Sequence, residues 1–421
     1  MPRRRSLQLR PEYLDLARAA LKKLRLTQIG LGIQAEIQAP ATLCNFFGGR
    51  PVDRGNFNKL CELLSLDADN VGRQPLPAPA IVNLPVPSPD PYICRSGEEA
   101  WYRMLFEPHS LIRIQAPSQF GKTLLMSRML DRAKQQGHLS LYLTLNGIDS
   151  ASFRDSQTFF RHFICEIETE IAASSIDLLM PLDLYDEHVT KFGYFKAAIK
   201  YLEHLQKNIS QPFTLGINKL ERLLDDPQNA KTASDFLYLL RYMNERGNCN
   251  KVWKNFRLVL AYTALRFEDA IPMVATQSPF NVGYSIDLRE FSSGEVAELA
   301  TKKGLNLDEL QIQALMQPIG GIPSLIQLTI NNLCEHGEQL LEDPAAIMSI
   351  YQANHLTELE RYLQREGLDI PMQRIAITTV DINELDRKAR DLLHRQGLII
   401  TTIDRQVLPR CELYRHFFSQ H

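Results

Sequence analysis

One run, Ala116-Pro117-Ser118-Gln119-Phe120-Gly121-Lys122-Thr123, constrains the fold of this 421-residue chain more than any other segment. Residues 111–116 (Leu-Ile-Arg-Ile-Gln-Ala) read as a buried strand, and residues 124–134 read as a helix that begins with Leu124. Between them lies a loop of the G-x-x-x-x-G-K-[ST] type, with Ala116 in place of the first Gly. In such a loop successive backbone N–H groups and the helix N-terminus cradle phosphates. Lys122 is placed to reach the β/γ-phosphates and Thr123 to ligate magnesium. Ala accepts most of this backbone, but not a positive φ. The competing explanation is a chance match on an ordinary strand–turn–helix.

The segments that follow favour the first explanation. Strand patterns recur at 139–145, 213–217, 257–263 and 284–288, with helical patterns at 157–172, 193–207 and 232–246. Strands alternating with helices imply a mostly parallel, helix-covered sheet. Ligands bind such sheets at the carboxyl ends of the strands, where this loop sits. Helical patterns then run through 294–303, 308–317 and 323–334. Near the end, a helix at 383–396 is closed by Gly397. Two apolar stretches, 398–403 and 406–408, flank Asp404-Arg405 as in a hairpin, and 411–418 reads as a last helix. Helices followed by a hairpin suggest a winged helix.

The region before the loop is different. Residues 74–91 hold Pro75, Pro77, Pro79, Pro85, Pro87, Pro89 and Pro91, which excludes helix or sheet interior and marks a semi-extended linker. Residues 1–73 read as a small all-α module, with helical spacing at 13–24, 39–47 and 56–66. That module carries 12 Lys/Arg against 7 Asp/Glu, a net +5 in a chain whose net charge is −2. A basic module on an acidic body suggests a localised nucleic-acid contact, the alternative being a solvated basic helix face. Apolar and charged fractions of 44% and 23% are ordinary for a soluble globular protein. No 18-residue apolar run indicates a membrane span, and Arg3-Arg4-Arg5 lacks the apolar stretch of a secretory signal. The 7 cysteines are scattered singly, as expected of reduced thiols in the cytoplasm, and the 10 histidines form no metal-binding pattern.

From residue 92 to 418 the chain resembles the bacterial AAA-like ATPase-domain proteins related to the STAND and Orc/Cdc6 branches. Carrying the resemblance are Tyr92-Ile93-Cys94-Arg95, the loop 116–123, Gln277-Ser278-Pro279-Phe280-Asn281-Val282-Gly283, Gly320-Gly321-Ile322-Pro323 and Pro409-Arg410-Cys411-Glu412-Leu413-Tyr414-Arg415, in that order. The resemblance implies a nucleotide-binding core over 92–291, a helical lid over 292–345 and a winged-helix domain over 346–421. It also implies Arg95 near the nucleotide and Pro323 against the base, with ATP or ADP and Mg2+ as cofactors. Residues 1–73 resemble the helix-turn-helix module that often precedes this core, carried by residues 42–54. Pro40 sits at the start of the presumed recognition helix, where Pro is tolerated, while Gly30 and Gly32 fall inside the preceding one. Arg3, Arg4, Arg5, Lys22, Lys23, Thr42, Asn45 and Arg50 are the expected DNA contacts. A protein partner or self-assembly is expected as well, and no membrane.

One motif departs from the resemblance. After the strand 213–217 the family places Asp and Glu, the first orienting magnesium and the second polarising the attacking water. Here they are Asn218 and Lys219. Glu221 faces away if the strand continues and swings in if a helix starts at Asn218. Three readings stay open: a core that binds nucleotide but hydrolyses it slowly or not at all; a working ATPase completed by Glu221 or by a neighbouring subunit, assembled on DNA; and an interaction scaffold that binds no nucleotide. Thr263, ending the fourth strand, is the candidate sensor of the γ-phosphate. Arg241, Arg246 and Arg266 are equally read as arginine fingers or as surface charge.

Overall fold

The structure is a computed structural model that describes residues 6–10, 13–24, 26, 28–35, 37, 40–47, 52–73, 91–173, 182–224, 226–247, 250–263 and 282–420. The linker 74–90, Arg3, Arg4, Arg5, Arg50 and Arg266 lie outside these residues. The chain divides into two compact units. The first comprises Met1–Asn83, Gly147–Ser210 and Lys231–Leu239; the second comprises Leu84–Asn146, Gln211–Ala230 and Leu240–His421.

In the first unit, helices Leu14–Lys23, Gln28–Gln34, Pro40–Phe47 and Arg54–Leu63 enclose a core of Leu31, Leu43, Phe46, Phe57 and Leu60. Gly30 and Gly32 are accommodated inside the second of these helices. The module is not all-α. Three short antiparallel strands, β1 (Ser6–Leu9), β2 (Val52–Asp53) and β3 (Gly72–Arg73), pair in the order β2-β1-β3. Runs of two to four residues are too short to show a period of two in the sequence. The helices Ser156–Ala173, Leu182–Phe192 and Tyr194–Asn208 belong to the same unit, and Pro40–Phe47 packs against the first of them. Phe159, Phe160 and Phe163 surround Phe236 there, with ring centroids 4.9–6.2 Å away.

The second unit is built on five parallel strands: β4 (Leu111–Ala116), β5 (Leu139–Thr144), β6 (Phe213–Asn218), β7 (Phe256–Thr263) and β8 (Tyr284–Asp287), in the order β5-β6-β7-β4-β8. Every residue of β6 and β7 is buried, as expected of central strands covered on both faces, whereas edge strand β5 alternates. The register pairs Ala116 with Thr263, Asn218 with Ala261 and Thr144 with Asn218. The carboxyl ends of β4 and β7 are therefore level, and those of β5 and β6 are level with each other two residues earlier, which places the loop after β4 near the turn after β6.

Helices Ser293–Lys302, Glu309–Ile319 and Pro323–His336 follow the sheet. Capping boxes, Ser292 with Glu295 and Asp308 with Gln311, start the first two by satisfying orphan N–H groups. Gly320-Gly321 is more than a helix break. Gly320 has φ +64° and ψ −160°, and Gly321 accepts a hydrogen bond from Phe291 N–H (2.7 Å) so closely that a Cβ there would lie 2.3 Å from the Phe291 carbonyl oxygen.

Three further helices, Pro344–Tyr351, Thr357–Glu366 and Asp369–Ile377, follow, with a wide π turn at Gln352–Leu356. The last segment is helix Arg387–Gln396, the antiparallel strands β9 (Val380–Asp381), β10 (Ile399–Thr401) and β11 (Gln406–Pro409), and helix Glu412–Ser419.

Gly321→Ala is expected to destabilise the protein by about 1–3 kcal/mol through this backbone clash. Gly294→Ala, exposed on a helix with nothing within 4 Å, is expected to stabilise it by ~0.5–1 kcal/mol. Denaturant midpoints of the two variants should move in opposite directions.

Candidate functional site

The loop after β4 has the backbone its sequence implies. Ala116 is the last residue of the strand and carries no positive φ, so the missing first glycine costs nothing. The left-handed positions are Gln119 (φ +70°) and Gly121 (φ +89°). Gly121 stands directly before helix Lys122–Gln135, whose first N–H groups open toward the loop. Phe120 is buried beneath the loop and anchors it in the core.

Lys122 is only 6% exposed, and its Nζ donates to the carbonyls of Ala116 (3.0 Å) and Pro117 (2.7 Å). Burial pulls its pKa down to about 7; the nearby Glu221 carboxylate opposes this and the Lys219 ammonium adds to it. A buried ammonium held only by neutral carbonyls is electrostatically incomplete, and an anion at the loop would complete it.

A cleft of 670 Å³ opens beside the loop. Gln119, Gly121, Lys122, Thr123, Leu124 and Lys219 line one end. Tyr92, Ile93, Phe291, Leu299, Pro323 and Leu328 give the remaining lining an apolar surface, interrupted by Arg95, Ser324, Gln327 and Asn331. The size and the polarity gradient suit a nucleotide, with a flat base against the apolar wall and phosphates at the loop. Pro323 opens helix Pro323–His336 and is buried in this wall.

Arg95 lines the cleft but is committed to protein partners. It donates to the carbonyls of Arg289 (3.2 Å) and Phe120 (3.3 Å), lies 4.1 Å from the Phe291 ring centroid and is 3.8 Å from Glu295. It ties the segment before helix Glu98–Phe106 to the loop and to helix Ser293–Lys302.

The turn after β6 decides what surrounds Thr123. Asn218 Nδ2 donates to Thr123 Oγ1 (3.0 Å) and to the Tyr142 hydroxyl (2.7 Å), while its Oδ1 accepts from Lys219 N–H (2.9 Å). Lys219 holds a left-handed backbone (φ +61°), and a helical turn, Glu221–Leu224, begins two residues later. This turn swings Glu221 inward. Its Oε1 accepts from Thr263 Oγ1 (2.8 Å) and its Oε2 from Thr263 N–H (3.2 Å), with Lys219 Nζ 3.9 Å away. Thr263 thus faces Glu221.

The donor set therefore fits a nucleotide better than it fits magnesium. Thr123 offers one hydroxyl, Asn218 donates to it, and Glu221 accepts from Thr263 with each of its oxygens. Among the described residues no group of three or more His, Cys, Asp or Glu could hold a metal ion.

The sequence reading missed four contributors to the loop. Ser324 Oγ donates to Gln119 Oε1 (2.9 Å). Gln119 Nε2 makes a long contact (3.4 Å) with His355 Nδ1, whose Nε2 lies 3.1 Å from the Tyr414 hydroxyl. Arg410 pairs with Glu290 (2.9 Å) with its guanidinium 5.3 Å from the Phe120 ring centroid, and the Arg395 carbonyl accepts from Ser118 N–H (2.8 Å). Only Arg410 fell in a motif, without a role.

Of the expected DNA contacts, Lys22 and Lys23 are exposed at the end of Leu14–Lys23, and Thr42 and Asn45 lie half-buried on Pro40–Phe47. Arg241 is paired with Glu245 (2.7 Å), and Arg246 lies over Tyr242 (5.2 Å). Among the described residues no helix is long and apolar enough to cross a membrane.

This sheet order, loop and cleft define a P-loop nucleotide-binding fold. A model of the AAA-like domain family matches residues 83–420, and the chain belongs to that family. Among solved structures it is similar to the Walker-type ATPase PABY2304 of Pyrococcus abyssi, at 12% identity and a TM-score of 0.53, over 78% of this chain and 96% of that one. It is also similar to the ORC2 protein of Aeropyrum pernix in its ADPNP-ADP complexes (14% identity, TM-score 0.49, 79% and 95% covered). A third similar structure is AMPPCP-bound DnaA from Aquifex aeolicus (13% identity, TM-score 0.36, 71% and 77% covered). At 12% identity the likeness to the Pyrococcus abyssi protein shows the fold alone. No curated protein matches the chain.

His355 gives this site a pH signature. Burial lowers its pKa from 6.5 to about 4, so the folded chain keeps it neutral where an unfolded chain would protonate it. The Gln119 amide nitrogen can only donate, so Nδ1 accepts and protonation opposes the contact. Between pH 6.5 and 4 the unfolded state binds the extra proton, and stability falls as pH falls, by up to ~1.4 kcal/mol per unit. Compared by denaturant melts at pH 7 and pH 5, His355→Gln should lose less stability on acidification than the parent chain.

Proposed function

We propose that the chain is an ATP- or ADP-binding switch or scaffold coupled to DNA binding, with slow or absent hydrolysis. The observation that carries this is the pairing of a complete phosphate loop with an incomplete second motif. Lys122 is buried and awaits an anion. Asn218 stands beside Thr123 with its amide nitrogen forward and brings no charge. A base that activates water must be free to accept a proton, and Glu221 is engaged by Thr263 and faced by Lys219.

A second reading, an active ATPase assembled on DNA, draws support from one feature. Glu221 is buried at the strand ends beside Thr263, so a small rotation would bring a carboxylate toward the phosphate end of the cleft.

The DNA half rests on charge and on the small modules at both ends. Arg3, Arg4, Arg5, Lys22, Lys23 and Arg50 would contact phosphates, with Thr42 and Asn45 near base edges if Pro40–Phe47 acts as a recognition helix. The terminal segment, helix Arg387–Gln396 with the β10–β11 hairpin, reads as a winged helix with a wing tip at the fully exposed Ile403. The proposed division is 1–73, linker 74–91, core 92–291, lid 292–345 and winged helix 346–421. A cytoplasmic location and a protein partner or self-assembly fit this reading.

Calorimetry with ADP should show binding to the parent chain and a loss of about 30-fold or more in Lys122→Ala, the value of a buried charge-assisted contact. Steady-state phosphate release should stay at background with and without DNA. DNA affinity should fall steeply with salt, and Lys22→Ala with Lys23→Ala should flatten that dependence. Turnover abolished by Lys122→Ala would favour the ATPase reading instead.

A further inference from the structure

We infer that this cleft binds its nucleotide without a divalent cation, and that the ammonium of Lys219 takes over the charge neutralisation that magnesium supplies elsewhere. The inference rests on the nucleotide reading of the cleft and concerns how the phosphates are held.

Magnesium in a phosphate site keeps several waters and relies on carboxylates to accept hydrogen bonds from them or to ligate the ion. The residues around Thr123 offer the opposite chemistry. Asn218 turns its amide nitrogen toward Thr123 Oγ1 and Tyr142, and its one acceptor oxygen is used by the Lys219 N–H. An amide nitrogen cannot accept from a metal-bound water and carries a partial positive charge toward the ion. The acid in this turn, Glu221, spends its two oxygens on Thr263 Oγ1 and Thr263 N–H and is faced by Lys219 Nζ at 3.9 Å.

What the cleft presents in place of an acid is a second cation. Lys219 lines the same end as Gly121, Lys122 and Thr123, and its side chain is 31% exposed, open enough to reach a ligand. It holds a left-handed backbone that a non-glycine residue adopts only at a cost. Such strain at a binding cleft persists when the surrounding structure requires it and is a marker of function. Here the backbone that turns Glu221 inward also sets Lys219 at the cleft wall. Lys122 and Lys219 together give two positive charges facing a ligand end that bears three or four negative ones. A divalent cation added there would meet two ammonium groups and an amide donor. A di- or triphosphate meets Lys122 Nζ, Lys219 Nζ, the Thr123 hydroxyl and the loop N–H groups, while the one nearby acid, Glu221, is held by Thr263 and faced by Lys219.

The test is calorimetric titration of ADP and of ATP into the full chain, once with excess magnesium and once with excess EDTA. Affinities in the two buffers are expected to agree within about threefold. Lys219→Gly relieves the backbone strain and removes the cation; it should fold at least as stably and bind ATP at least tenfold more weakly in EDTA. The double variant Asn218→Asp, Lys219→Glu should acquire dependence on magnesium. Binding by the parent chain that vanishes in EDTA and returns with magnesium overturns the inference and leaves the nucleotide reading intact. Unchanged ATP affinity in folded Lys219→Gly also overturns it. Binding in neither buffer overturns both.

Discussion

The buried ammonium of Lys122 is the constraint on which the rest of the second unit depends. A charge taken out of water needs a partner, and here the partners are two carbonyls of its own loop, Ala116 and Pro117. The loop can offer them only if it folds back over the start of the helix, which requires the left-handed backbone at Gln119 and Gly121 and an anchor at Phe120. The neighbouring carboxyl ends of β4, β6 and β7 then gather Asn218, Glu221 and Thr263 beside the loop, with Asn218 on Thr123 and Glu221 on Thr263. The lowered pKa of Lys122 is the measure of how incompletely carbonyls replace water.

Much of this arrangement was legible in the sequence because it is local. Strands 111–116 and 213–217 are short, mostly apolar stretches interrupted only by Arg113, Gln115, Thr214 and Gly216, and their observed bounds, Leu111–Ala116 and Phe213–Asn218, differ by at most one residue. The loop was readable because its chemistry lies in eight consecutive residues. The inward turn of Glu221 was not decided by pattern, since it depends on one residue, Lys219, adopting positive φ, and Lys has no propensity that announces it. The contacts of Gln119 with His355 and of Phe120 with Arg410 were invisible for another reason. They join residues more than 230 positions apart, and no periodicity encodes such a meeting. The short strands β1–β3 escaped because two to four residues are too few to display alternation.

These long-range contacts give the loop a second set of neighbours. Ser118 N–H donates to Arg395 at the end of helix Arg387–Gln396, Arg410 lies over Phe120, and the Gln119–His355–Tyr414 chain reaches the last helix. Residues that would meet phosphate and residues of the terminal segment thus share one loop. A ligand that repositions Gln119 or Ser118 would alter those contacts, and through them the proposed switch would link nucleotide to the end of the chain. In the proposed reading, Asn218-Lys219 in place of two acids gives a site that would hold phosphate and do little to activate water.

The most direct measurement of the central claim is a crystal structure of the chain soaked with ADP. A nucleotide site predicts phosphates on the loop N–H groups of residues 119–123, the base against Pro323, and Lys122 Nζ moved from the Ala116 and Pro117 carbonyls onto the β-phosphate. Lys122 still bound to those two carbonyls at saturating ADP, with the cleft holding only solvent, would contradict it.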